Sequence, residues 1–145
     1  MDYDVLLVSK YLPIRAGERQ VLETRGKIPA DKIYEADSKD QALKTLEAVI
    51  NSGGTVGVVV TDLRFGRDEN VGVQLLKAIK TKYASVPVII TSGEDSPSGK
   101  IEDPEEDPAV VADAVLSQGA FAYYHKSRPI QDLVDEVATA LGRRT

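Results

Sequence analysis

The stretch Val56-Gly57-Val58-Val59-Val60-Thr61-Asp62 is an apolar, valine-rich run that ends in a carboxylate. When nearly every position is apolar, rather than every second one, the pattern is typical of a strand buried on both faces of a parallel sheet. In open α/β sheets, ligands and chemistry gather at the carboxyl ends of such strands. Asp62 therefore stands where a functional site is expected.

On either side of this strand, short apolar runs alternate with segments of helical spacing. Strands are predicted at 3–9, 33–36, 56–62, 86–91 and 120–125. Helical spacing is found at 13–26, 38–53, 73–79, 109–118 and 130–141. Strict alternation of this kind predicts an α/β fold, a doubly wound, five-stranded parallel sheet with helices on both faces. We interpret residues 1–145 as one such domain.

The composition excludes several classes of function. The chain has 145 residues, of which 42% are hydrophobic and 28% charged, with a net charge of −5. That balance argues against a nucleic-acid partner, because phosphate binding needs clustered Lys and Arg. Without cysteine there is no disulfide or thiol chemistry, and a single histidine disfavours zinc. No signal-peptide pattern and no apolar run of spanning length is present, so no membrane partner is expected and the cytoplasm is the expected location.

Three polar residues follow the third, fourth and fifth predicted strands: Asp62, Ser92 and Lys126. A carboxylate is a nucleophile that can carry a phosphoryl group as an acyl phosphate. A lysine at a neighbouring strand end can offset the phosphoryl charge, and a hydroxyl can bond one of its oxygens. Together they indicate a phosphoryl-type site, whereas each alone is more often a turn residue or a solvated side chain.

The same segments resemble the receiver domain of two-component response regulators. The resemblance is carried by Thr61-Asp62-Leu63-Arg64 with Asn70 to Leu76, by Pro87-Val88-Ile89-Ile90-Thr91-Ser92-Gly93, and by Gly119 to Lys126. It covers nearly the whole chain and implies a flavodoxin-like strand order of 2-1-3-4-5.

By this resemblance, Asp62 accepts a phosphoryl group from a sensor histidine kinase or a phosphotransfer protein. Ser92 and Lys126 sense the phosphoryl group, and Tyr123 occupies the position of the aromatic switch. The face formed by the fourth helix, fifth strand and fifth helix then changes its affinity for a downstream protein partner or for a second copy of the chain. The resemblance implies a signalling domain in a phosphorelay, and not an enzyme.

The chain departs from the family pattern at the end of the first strand. The family places two acidic residues there, which bind Mg²⁺ together with the phosphoacceptor, but Ser9 and Lys10 occupy these positions. Because Mg²⁺ is usually held by one or two carboxylates, Asp62 is left as a weak metal ligand. Lys10 either pairs with Asp62 and lowers its pKa, or extends into solvent.

Other departures lie in the loops. Asp68 and Glu69, or Glu94 and Asp95, either restore a metal site by another route or are solvated loop charges. The run from Lys126 to Pro129 replaces the family's Lys-Pro pair. In the family this proline helps to orient the lysine side chain, so the change affects the direction expected for Lys126.

Three functions are weighed. The first is a stand-alone receiver phosphorylated on Asp62, since only residues 141–145 follow the last helical segment and they hold no DNA-binding domain; the chain then acts through a protein partner, or it is a fragment of a longer regulator. The second is a phosphorylation-independent pseudo-receiver that acts as a protein-binding module, which Ser9 and Lys10 favour. A flavodoxin-like ligand binder is a third reading, without a cofactor-cradling loop to support it.

Overall fold

A computed structural model describes residues 2–64, 71–93 and 108–142. The strands are β1 (Asp2–Val8), β2 (Ile33–Ala36), β3 (Thr55–Asp62), β4 (Val88–Ser92) and β5 (Ala122–His125). The helices are α1 (Leu12–Thr24), α2 (Lys39–Asn51), α3 (Val71–Lys82), α4 (Pro108–Ser117) and α5 (Ile130–Ala140), and a short 3-10 helix, Ala30–Lys32, precedes β2. No helix within these ranges is both long enough and apolar enough to cross a bilayer.

All five strands are parallel and lie in the order β2-β1-β3-β4-β5. This confirms the predicted fold class and strand order. Parallel neighbours need crossover connections, and the helices between successive strands supply them. The carboxyl ends of the strands therefore meet at one edge of the sheet, which carries Asp62.

The sheet separates two apolar layers. One layer packs β1, β3 and β4 against α2, α3 and α4, and it includes Leu6, Val59, Ile90 and Tyr123. The other packs the opposite sheet face against α1 and α5, and it includes Leu7, Val60, Ile89 and Tyr124. Because side chains alternate along a strand, each residue at the carboxyl edge belongs to one face or the other.

Local sequence explains where several helices begin. Ser38 caps α2, and its hydroxyl oxygen accepts a hydrogen bond from Gln41 N at 3.1 Å. Pro13 stands in the first turn of α1, where a missing N–H removes no helical hydrogen bond. At α3, Gly72 N donates to Leu63 O at 2.9 Å, which holds the start of this helix against the end of β3.

Candidate functional site

Asp62 is the last residue of β3 and is only 5% exposed. The strand places it on the α1–α5 face, in step with Val58 and Val60. A buried carboxylate must be compensated by hydrogen bonds or by an opposite charge. The side chains that provide this compensation define the site.

Two buried hydroxyl groups donate to Asp62. Ser9 Oγ donates to Oδ2 at 2.6 Å, and Thr91 Oγ1 donates to Oδ1 at 2.8 Å. Both residues have no exposed surface. Hydrogen bonds to a carboxylate are stronger than those between neutral groups, so this pair holds the Asp62 side chain in one orientation.

Strand register explains why these three residues meet. Thr91 is the direct partner of Asp62 across β3 and β4. Across β1 and β3, Val8 pairs with Thr61, so the next residue, Ser9, lies beside Asp62. Ser9, Asp62 and Thr91 thus form one row across the carboxyl edge of the sheet, on the same face.

Lys126 supplies the positive charge. Its Nζ lies 3.5 Å from Asp62 Oδ1, and its side chain is 16% exposed. The backbone N–H of Lys126 donates to Ser92 O at 2.8 Å, which extends the β4–β5 pairing. A Cβ at Gly93, where φ is +150°, would stand 2.9 Å from Lys126 Cβ, so this glycine leaves room for the lysine to pass.

The connection from β5 to α5 is held by Arg128. Its guanidinium donates to Tyr123 O at 2.8 Å and pairs with Asp132 at 3.2 Å and Glu136 at 3.0 Å. Tyr124 OH donates to the carbonyl of Arg128 at 2.8 Å. These contacts fix the loop that follows Lys126, and the lysine reaches Asp62 although the run from Lys126 to Pro129 departs from the Lys-Pro pattern.

Ser92 and Tyr123 lie on the other face of the sheet. The hydroxyl groups of these two side chains form a short hydrogen bond with each other. Ser92 follows Val88 and Ile90 in the strand alternation, and Tyr123 packs in the same α2–α4 layer. No hydrogen bond joins Ser92 to Asp62 within the described ranges, so the predicted sensing role of Ser92 depends on a change in this arrangement.

Lys10 is exposed, and among the described residues it forms no ion pair with Asp62. Of the two alternatives for Lys10, the structure therefore shows the solvent-exposed one. The cation beside Asp62 is Lys126 instead. Asp68, Glu69, Glu94 and Asp95 lie outside the described residues.

Glu18 is a second carboxyl group near Asp62, and sequence reasoning missed it. It is 8% exposed and lies on the sheet-facing side of α1, one turn before the buried Leu22. Side chains on a helix lean toward its N-terminus, which for α1 is the edge that carries Asp62. Burial, the negative charge of Asp62 and, more weakly, that of Glu35 raise the pKa of Glu18 to about 8, against the opposing charge of Lys126. Glu18 is therefore mainly protonated at neutral pH.

Thr91 is the other residue that the sequence reasoning passed over. The alternation of side chains along β4 indicates that Thr91, two residues after Ile89, lies on the face of the sheet opposite Ser92. To show that Thr91 is the one beside Asp62, however, the register of β4 against β3 is needed, and local sequence patterns do not specify it.

The donors around Asp62 do not fit a divalent cation. Mg²⁺ needs oxygen lone pairs, usually from one or two carboxylates. Asp62 instead faces two hydroxyl hydrogens and an ammonium group. Within the described ranges, no group of three acidic, histidine or cysteine side chains could hold a metal.

Comparison with solved structures agrees with this architecture. A response regulator receiver domain protein from Clostridium thermocellum superimposes with a TM-score of 0.72 at 23% identity, covering 97% of this chain and 94% of the other. The receiver domain of NtrX from Brucella abortus gives a TM-score of 0.71 at 20% identity, with 97% and 100% covered. The signal receiver domain of an HD domain-containing protein from Pseudomonas fluorescens Pf-5 gives 0.69 at 23% identity, with 97% and 87% covered.

The chain has the fold of response regulator receiver domains, which confirms the resemblance at the level of architecture. No protein-family model matches the chain, and no curated protein matches its sequence.

Proposed function

We propose that this chain is a signalling receiver in which Asp62 is the phosphoacceptor. The observation that carries the proposal is the pairing of Asp62 with Lys126, 3.5 Å apart, at the carboxyl edge of a receiver-fold sheet. Parallel sheets place their chemistry at this edge. Hydrogen bonds from Ser9 and Thr91 hold the Asp62 carboxylate in place. The positive charge beside it belongs to Lys126, which follows a different strand, β5.

The proposed chemistry is transfer of one phosphoryl group. A carboxylate oxygen of Asp62 attacks phosphorus in the phosphohistidine of a sensor kinase or phosphotransfer protein. The P–N bond breaks, and its electron pair returns to the imidazole nitrogen. The Lys126 ammonium offsets charge on the transferred group, which is the kind of electrostatic stabilisation that phosphoryl transfer requires.

The proposed output is a change in protein binding. Ser92 and Tyr123 join β4 to β5 on the α4 side of the sheet, and this side carries the exposed apolar residues Val110, Leu116 and Phe121. A downstream protein or a second copy of this chain would bind there, in the cytoplasm. In this proposal the domain acts through binding, not through catalysis of its own.

A pseudo-receiver that is never phosphorylated is the second candidate function. The hydrogen bond from Ser9 to Asp62 Oδ2 favours it, because a carboxylate oxygen that accepts a short hydrogen bond is a weaker nucleophile. In that case the site would be a structural element, and partner binding would not depend on a phosphoryl group.

Intact-mass measurement after incubation with acetyl phosphate tests the proposal. We expect an adduct with the mass of one phosphoryl group on the wild type and none on Asp62→Asn. Asp31→Asn is a matched control, since Asp31 is an exposed aspartate in the 3-10 helix that precedes β2. An unmodified wild type would reject phosphorylation and favour the pseudo-receiver.

A further inference from the structure

Ser9 is held by hydrogen bonds to its backbone and to its side chain. Its backbone N–H donates to Ala36 O at 3.1 Å, and its carbonyl accepts from Arg15 Nη1 at 2.6 Å. Its side-chain oxygen accepts from Tyr11 N at 3.2 Å. A serine hydroxyl has a single hydrogen. With Tyr11 N already donating to the oxygen, that hydrogen is directed to Asp62.

The residues behind Ser9 are also fixed. Arg15 pairs with Glu35 at 3.0 Å, and Arg19 pairs with the other oxygen of Glu35 at 2.6 Å. Partial burial opposes ionisation of Glu35, but hydrogen bonds from Arg19 and Arg15 lower its pKa below the usual value. This ion-paired network ties α1 to β2 and holds the carbonyl of Ser9 in place.

Thr91 and Lys126 add a hydrogen-bond donor and a positive charge next to Asp62 Oδ1. The carboxylate is thus compensated by groups of the protein itself. A divalent cation would have to displace the Ser9 hydrogen bond and would stand close to the Lys126 ammonium.

We propose that Ser9, Thr91 and Lys126 replace a divalent cation at Asp62, so that the site works without Mg²⁺. Ser9 occupies the position of an acidic ligand but donates a hydrogen bond to the carboxylate instead of a lone pair to a metal. Exclusion of the cation follows from the hydrogen bonds and the charge around Asp62, whereas phosphorylation without Mg²⁺ rests on the proposed function above.

A titration of ¹⁵N-labelled protein with MgCl₂, at constant ionic strength, tests cation binding. The backbone amide signals of Ser9, Asp62 and Thr91 report on the site. We expect no saturable shift in the wild type or in Lys10→Gln, and saturable binding in the double variant Ser9→Asp with Lys10→Asp. Saturable shifts at Asp62 in the wild type would overturn the proposal.

The double variant places a carboxylate at a fully buried position, so it is checked for folding first. If it does not fold, the wild-type titration alone decides the proposal. A folded double variant that still binds no Mg²⁺ would also overturn the proposal, since the Ser9 hydroxyl would then not be what excludes the cation.

A second experiment tests phosphorylation: it compares labelling of the wild type by acetyl phosphate in EDTA and in MgCl₂. We expect the same extent of Asp62 adduct in both, and an adduct formed only with MgCl₂ would overturn the inference. If neither condition gives an adduct, the proposed function fails, while the titration still decides whether the site binds a cation.

Discussion

At the scale of single residues, Glu18 is the least expected feature of the molecule. It occupies a sheet-facing position of α1, where an amphipathic helix normally carries an apolar side chain. Burial and the nearby Asp62 charge raise its pKa from 4.5 to about 8. Departures from the apolar pattern of this kind tend to mark functional sites.

The raised pKa of Glu18 makes stability depend on pH. Between pH 4.5 and about 8 the folded protein holds a proton on Glu18 that the unfolded chain releases, so the free energy of unfolding falls as pH rises through this range. The slope for one proton is at most about 1.4 kcal/mol per pH unit. We expect Glu18→Gln to remove this slope in urea unfolding curves measured across the range.

The comparison with Glu18→Gln isolates this residue, since Glu136, whose pKa burial also raises, is unchanged in both proteins. If the free energy of unfolding depended on pH in the same way for the wild type and for Glu18→Gln, Glu18 would ionise normally in the folded state. They would also weaken the argument that the second carboxyl group near Asp62 is neutral.

At the scale of elements, the contact between α3 and β3 depends on Gly72. A Cβ on this residue would stand 2.6 Å from Leu63 Cα and would also overlap the Asp62 carbonyl oxygen. Both atoms belong to the backbone, so neither can move aside as a side chain would. The start of α3 would have to shift away from the strand that carries Asp62.

We expect Gly72→Ala to lower the free energy of unfolding by about 1–3 kcal/mol, the usual cost of overpacking. Gly17→Ala is the matched control, because Gly17 lies inside α1 with no atom within 4 Å of an added Cβ. That change should raise stability by about 0.5–1 kcal/mol, because alanine favours a helix. Equal effects of the two substitutions in denaturant unfolding would refute the packing argument.

Among the described residues, alternation of apolar runs predicted all five strands and all five α-helices, but it missed the 3-10 helix Ala30–Lys32 and some of the element ends. β4 begins at Val88 and not at Val86, and β5 begins at Ala122 and not at Ala120. The second difference has a local cause: Gly119 N and Ala120 N donate to carbonyls in the last turn of α4, at 3.0 and 3.1 Å. These residues therefore terminate the helix before the strand starts.

At the scale of the whole molecule, the sheet divides the site into two halves. Asp62, Ser9 and Thr91 face α1 and α5, whereas Ser92 and Tyr123 face α4. The sequence could place Asp62 and Lys126 at one edge, since strand ends meet there in any parallel sheet. It could not show which of the neighbouring hydroxyls, Thr91 or Ser92, contacts Asp62, because that depends on the register between strands.

Double-mutant cycles measured by denaturant unfolding distinguish the two hydroxyls. Thr91→Val combined with Asp62→Ala should give a coupling energy of about 1.5–3 kcal/mol, the range for a hydrogen bond to a charged group. Ser92→Ala combined with Asp62→Ala should give less than about 0.5 kcal/mol, as for sites that share no contact. The reverse ranking would mean that Ser92 contacts Asp62 in the resting protein. With the expected ranking, Ser92 does not contact Asp62 directly, and the two are connected through β4 and through Lys126, whose side chain lies beside Asp62 and whose backbone N–H donates to Ser92 O.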